Sequence, residues 1–130
     1  MKILGIGVDI VENKRFKKSI KNKDLLKRLF TLSEIKNSKL IRDKSTFFSK
    51  KFAAKESFSK ALGTGFRKGL KFKDIEILNN KLGKPYFKVN NKIKKIISKT
   101  LKVENFDLFL SISDEKEYSV AFTIIQTKNV

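Results

Sequence analysis

Two acidic residues, Asp9 and Glu56, stand where a carboxylate serves no obvious solubilising purpose in a chain already rich in lysine. Asp9 closes the apolar run KILGIGVD, where a charge is costly unless it lies at a strand's exit or finds a partner. Glu56 is the single acid in FFSKKFAAKESFSKALGTGF, residues 47–66. As metal ligands, carboxylates are hard oxygen donors of the kind magnesium and calcium prefer. Taken singly, each has a plainer explanation. Asp9 can cap a helix that starts just after it, and Glu56 can be a solvated helix residue paired with Lys60 four positions on, worth about 0.3–0.5 kcal/mol.

The residue types that are missing narrow the chemistry further. The chain has no cysteine and no histidine, which removes thiol nucleophiles, disulfides, zinc sites and imidazole bases together. Without histidine, the serines of SIS before Asp114 read as strand residues rather than nucleophiles. Gly63, Thr64 and Gly65 form a bend whose glycines and free backbone N–H groups would let a phosphate approach, although it follows a helix where a nucleotide loop would precede one. The same bend also reads as a simple helix terminator, and Gly83-Lys84-Pro85 as a hairpin turn.

These residues need elements to position them. Residues 2–9 read as a buried strand with Asp9 at its end. Helical patterns follow over Val11–Ile20 and Asp24–Leu29, and TLSE at Thr31–Glu34 can cap a further turn. Ser45 is the expected N-cap of a helix over Thr46–Leu62 that stops at Gly63. Its core stripe is Phe47, Ala54, Phe58, Ala61 and Leu62, while Glu56 shares a face with Ser49, Phe52, Ala53 and Lys60. Lys73–Asn80 and PYFKV should pair as strands, Asn90–Thr100 is an amphipathic helix with Ile93, Ile96 and Ile97 inward, and FDLFLSIS and YSVAFTIIQ are strands joined across Asp114–Glu117. The ordering predicts one small α+β domain over residues 1–130, an antiparallel sheet packed against helices.

Length and composition agree with an ordered domain. The chain has 130 residues, 40% of them hydrophobic, with twelve phenylalanines and one proline. No window approaches the roughly 18 consecutive apolar residues of a membrane span, and the N-terminus meets acids too early for a signal peptide, so a cytoplasmic protein is expected. The net charge of +18 points to a polyanionic partner: nucleic acid, a phosphorylated ligand or an acidic protein. Only Arg15, Arg28, Arg42 and Arg67 carry the guanidinium fork used to read bases. With no arginine-rich reading helix, no RNP-type aromatic strand and no zinc framework, a nucleic-acid-binding module is the weaker reading. A magnesium-dependent phosphate-ester hydrolase is a second rival, weakened by having two acids where a two-metal site needs more.

In order and spacing, GIGVDIVENKRF, KKFAAKESFSKALGTG, DIEILNNKLGKPYF and LSISDEKEYSVAF resemble the successive signature blocks of holo-acyl-carrier-protein synthases, small 4'-phosphopantetheinyl transferases. The resemblance spans nearly the whole chain. It implies magnesium-dependent transfer of 4'-phosphopantetheine from coenzyme A to a serine of an apo acyl carrier protein, serving fatty acid biosynthesis and releasing adenosine 3',5'-bisphosphate. Matching block to block, it implies Asp9 and Glu56 as metal ligands, Glu56 and Lys60 as catalytic groups, and Lys51, Lys55, Lys60, Gly63, Thr64, Gly65, Gly83, Lys84 and Pro85 as coenzyme A contacts. The acidic carrier would meet Lys14, Arg15, Lys17, Lys18, Lys21 and Arg28, and the active assembly would be a homotrimer with its site between subunits. One departure stands out. Phe109 and Asp114 occupy positions where many relatives carry histidine, so any mechanism that uses those histidines is in doubt for this chain.

Overall fold

The structure, a computed structural model, describes residues 1–128. Strand β1 (Ile3–Glu12) turns its glycines toward helix α4 (Lys44–Leu62). A Cβ on Gly7 would stand 2.0 Å from Ser57 O, and one on Gly5 would stand 1.8 Å from Ala61 O. Only glycine lets the two backbones approach so closely. Side chains alternate along a strand, so Asp9, two residues beyond Gly7, projects from the same face toward α4.

Strands β4 (Phe106–Asp114) and β5 (Tyr118–Thr127) complete a three-stranded antiparallel sheet in the order β1-β5-β4. Asp9 lies opposite Ala121, and Gly7 opposite Thr123. The covered face packs Ala121 and Ile125 against α4, and Thr123 shares a hydroxyl contact of 2.6 Å with Ser57. The other face carries Ile6, Val8 and Ile10, more than half exposed, beside Phe122 and Phe109. A separate hairpin pairs β2 (Glu76–Asn79) with β3 (Pro85–Lys88), after a 3-10 turn at Phe72–Asp74. Helices α1 (Arg15–Ser19), α2 (Lys23–Leu29), α3 (Leu32–Ser38) and α5 (Asn91–Leu101) surround these elements. Among the described residues no helix is long and apolar enough to cross a membrane.

Phenylalanines join the layers. Phe16 of α1 contacts Phe52 of α4 and Phe30 after α2, with ring centroids 5.4 and 6.0 Å apart, and Phe30 lies 4.6 Å from Phe48. Each fully buried ring contributes about 1.5–3 kcal/mol relative to exposure. The expected α+β architecture is what forms, with differences at particular residues. β1 runs through Asp9 to Glu12, because its ladder with β5 continues to Glu12 opposite Tyr118. Asp9 therefore sits inside a strand and caps no helix, and helix begins only at Arg15. Only one face of β1 is covered, where the apolar run suggested two.

Helix α4 starts at Lys44, two residues before the expected Thr46. Asp43 is its N-cap rather than Ser45, accepting from Thr46 N–H at 3.1 Å and from the Thr46 hydroxyl at 2.7 Å. Its buried surface also includes Phe48, Ser49, Phe52 and Ser57, while Phe47 is half-buried, because α4 is enclosed by the sheet and by the other helices. A single apolar stripe could not describe it.

Candidate active site

The glycine-mediated crossing of β1 and α4 brings Asp9 and Glu56 together. Glu56 is half-buried, and its carboxyl titrates above the ordinary range, first because burial disfavours the charge and next because of the Asp9 carboxylate; Lys60 and Arg15 pull the other way. With the Asp9 carboxylate raising the proton affinity of Glu56, the two form a like-charge pair, which a cation relieves. Lys60 Nζ lies 3.0 Å from Asp9 Oδ1 and 3.1 Å from Val8 O. The i+4 spacing suggested a Glu56–Lys60 pair, but the lysine bridges to the strand instead.

Among the described residues no group of three or more acidic side chains could hold a metal ion. The donor set at the crossing is thus two carboxylates. That suits a hard cation that keeps several waters and takes further oxygens from a phosphate-bearing substrate, and it fits magnesium better than a caged calcium site. Asp9 and Glu56 would hold such an ion, with Lys60 beside them.

The residues expected to contact coenzyme A do not share one place. Lys51, Gly83 and Pro85 line one cleft of about 270 Å³, together with Lys50, Asn79 and Asp114. Lys51 is nevertheless buried and already donates to Ile77 O at 3.0 Å and Asn79 Oδ1 at 3.4 Å. Burial, reinforced by Lys55 and Lys50 and opposed by Glu34, lowers its pKa to about 8. Lys84 lies on the other side of the hairpin turn, in a cleft with Tyr86, Phe109, Ser111 and Phe122.

The Gly63–Gly65 bend is the helix terminator. Gly63 has φ +87° and donates its N–H to Ser59 and Lys60 carbonyls, and Gly65 donates to Ser59 O. The amides expected to be free at these two glycines are therefore engaged. Lys55 is likewise not placed to contact a phosphate directly. Its side chain is fully buried, with its donors taken by Leu29 O, Glu34 and Phe72 O, so it opens onto no cleft.

The six basic residues assigned to a protein partner are all exposed. Lys14 pairs with Glu12 at 3.2 Å. The Arg15 guanidinium lies 4.9 Å from the Phe52 ring centroid, a cation–π contact at the edge of the acid pair. Sequence reasoning missed three features. Glu34 forms the expected capping box with Thr31 but is also fully buried against Lys55, which the sequence does not show. Asn13 is buried and binds the carbonyls of Glu115 and Lys116, holding the β4–β5 turn. Asp114, in place of a histidine, pairs with Lys50 at 3.7 Å; the charges of both were visible, but nothing in the sequence placed them together.

Fold and site thus define a small α+β protein with a two-carboxylate centre suited to cation-assisted chemistry on phosphate groups. The sequence model of the 4'-phosphopantetheinyl transferase superfamily matches residues 5–123. A holo-[acyl-carrier-protein] synthase of Pelagibacter ubique is 62% identical over 98% of this chain and 100% of its own length. Among solved structures, a Bacillus anthracis holo-(acyl-carrier-protein) synthase in complex with CoA (3',5'-ADP) is 33% identical, with a TM-score of 0.80 over 97% of this chain and 98% of that one. The Neisseria meningitidis synthase is 34% identical, with a TM-score of 0.82 over 97% of this chain and 100% of that one. The chain belongs to the 4'-phosphopantetheinyl transferase superfamily, in its holo-acyl-carrier-protein synthase branch.

Proposed function

We propose that this chain transfers the 4'-phosphopantetheine group of coenzyme A to a serine hydroxyl of an apo acyl carrier protein, with magnesium, releasing adenosine 3',5'-bisphosphate. The observation that carries the reading is the half-buried Asp9–Glu56 pair with Lys60 bonded to its edge. In the reaction, the serine oxygen forms a bond to the pantetheine-bearing phosphorus, the bond from that phosphorus to the bisphosphate oxygen breaks, and the serine proton passes to solvent water. Magnesium, when bound, neutralises charge on the pyrophosphate and lowers the pKa of its coordinated water. Asp9 and Glu56 supply its protein oxygens. Lys60 can leave Asp9 and set its ammonium on the phosphates, where charge builds on the leaving group.

Lys51, Gly83 and Pro85 on one side of the β2–β3 turn, and Lys84 on the other, are proposed to receive the nucleotide end of coenzyme A. The exposed bases Lys14, Arg15, Lys17, Lys18, Lys21 and Arg28 are proposed to steer the acidic carrier. A homotrimer is proposed in addition. The open sheet face of Ile6, Val8, Ile10, Phe109 and Phe122 supports it, since so continuous an apolar patch marks a contact surface. The assay is direct. The protein is incubated with coenzyme A, magnesium and an apo acyl carrier protein, and the carrier is weighed by mass spectrometry. Addition of phosphopantetheine to the carrier serine is expected. A folded preparation that adds nothing overturns the reading.

A further inference from the structure

Lys55 neighbours Glu56 in α4 but points elsewhere, into the protein. Its ammonium donates to Glu34 Oε1 at 2.6 Å, Leu29 O at 2.7 Å and Phe72 O at 3.2 Å, which accounts for all three of its protons. Glu34 is equally buried. Its Oε1 also accepts from Thr31 N–H and its Oε2 from Ile77 N–H, both at 2.9 Å. One ion pair therefore ties together the end of α2, the start of α3, α4, the 3-10 turn and β2. Burying two charges costs several kcal/mol per ion before their attraction offsets it, and a well-packed apolar pair is often as stable. The geometry the pair imposes is therefore of more interest than its stability.

One of the tied carbonyls belongs to Phe72, which lines a surface cleft, and the other to Leu29, next in sequence to the lining residue Arg28. Leu29 follows Arg28, and Phe72 lies between Lys71 and Lys73. Lys27, Arg28, Phe66, Phe72 and Lys73 line the cleft, whose volume is about 560 Å³, and Phe66 stacks on Phe72 with centroids 3.7 Å apart. The buried ammonium thus fastens both walls of a basic cleft with an aromatic floor from beneath.

We propose that Lys55 and Glu34 are positioning residues for the protein substrate, holding α2 and the 3-10 turn at the separation that an acidic carrier needs. The proposal rests on the carrier reading given above. Its test compares the wild type with Lys55→Met, Lys55→Arg and the apolar double variant Lys55→Met/Glu34→Met, measuring transfer kinetics with each substrate varied in turn. For Lys55→Met, KM for the apo carrier is expected to rise about tenfold or more while KM for coenzyme A stays within about twofold. Lys55→Arg should recover part of the loss. Amide hydrogen exchange should quicken in residues 23–29 and 69–74 and stay unchanged in β5.

Equal changes in both KM values, no change in a folded variant, or exchange that quickens uniformly would overturn the proposal. So would failure of both Lys55→Met and the double variant to fold, since the pair would then serve folding alone. A wild type that does not modify the carrier would instead refute the transferase reading, which separates the two failures.

Discussion

Lys60 Nζ sits 3.0 Å from Asp9 Oδ1, spanning the gap between α4 and β1 one helical turn beyond Glu56. The lysine compensates one acid of the pair and lowers the proton affinity of the other. Lys60→Met should therefore push the Glu56 carboxyl further above the ordinary range, read by carboxyl-carbon NMR titration. Loss of one charge-stabilising donor should also cut kcat by about 10²–10³. A normal kcat in this variant would remove Lys60 from the transfer step.

Glu56→Gln separates function from stability. The folded protein binds the Glu56 proton more tightly than the unfolded chain does, because burial and Asp9 both disfavour the anion. The contribution of such a group is fully favourable below the ordinary carboxylate value and is lost as pH rises through the raised one. The variant should thus be more stable than wild type at neutral pH by about a few tenths of a kcal/mol, solvent screening keeping the gain small. The gain should vanish in melts at about pH 4, while transfer activity is lost at every pH.

Gly7→Ala tests the crossing that builds the site. The added methyl would meet Ser57 O at 2.0 Å and Ala61 N at 2.5 Å, and both are backbone atoms that cannot swing aside. A loss of about 3 kcal/mol or more is expected from denaturant unfolding, at the upper end for overpacking. Any folded fraction should carry a displaced α4 and bind divalent cations more weakly.

For Lys51, the cation is the disfavoured form, with a pKa of about 8. The native state releases this proton before the unfolded chain does, so the lysine's penalty fades and stability rises from about pH 8 toward the usual lysine range. Lys51→Met should flatten that rise in melts taken across the window. If the charged amine holds a phosphate, coenzyme A affinity measured by calorimetry should also fall across it in the wild type alone.

Phe122→Asp places a carboxylate in the middle of the open sheet face, opposite Val8. Sedimentation should show the proposed trimer breaking into monomers that remain folded, with transfer activity lost alongside. An unchanged sedimentation coefficient would remove this face as the contact.

The parts of the fold that could be read from sequence are those set by local pattern. The hairpin at Gly83, the alternation in β5 and the stop at Gly63 each follow from residues within a few positions. The extent of β1 could not be read this way, because Val11 and Glu12 join the strand only through partners in β5. The resemblance implies Lys60 as a site residue, but its contact with Asp9 is not legible in the sequence, since i+4 spacing says nothing about a neighbouring strand. Lys55 shows the same limit more sharply. The resemblance implies a coenzyme A contact there, whereas its burial is decided by Leu29, Glu34 and Phe72, which the chain brings from three other elements.

The ladder between β1 and β5 joins Ile3 to Gln126 and Asp9 to Ala121, so among the described residues the first strand finds its one sheet partner in the last. Contacts of such long sequence separation are costly to close and form late. On a ribosome, Asp9 emerges early, and β1 is expected to settle against α4 only once β5 has cleared the exit tunnel and pairs with it. A nascent chain should consequently be unable to engage a cation or coenzyme A through this pair. The centre comes into being only with the final strand, and a chain truncated before Tyr118 should keep α4 yet never assemble the site.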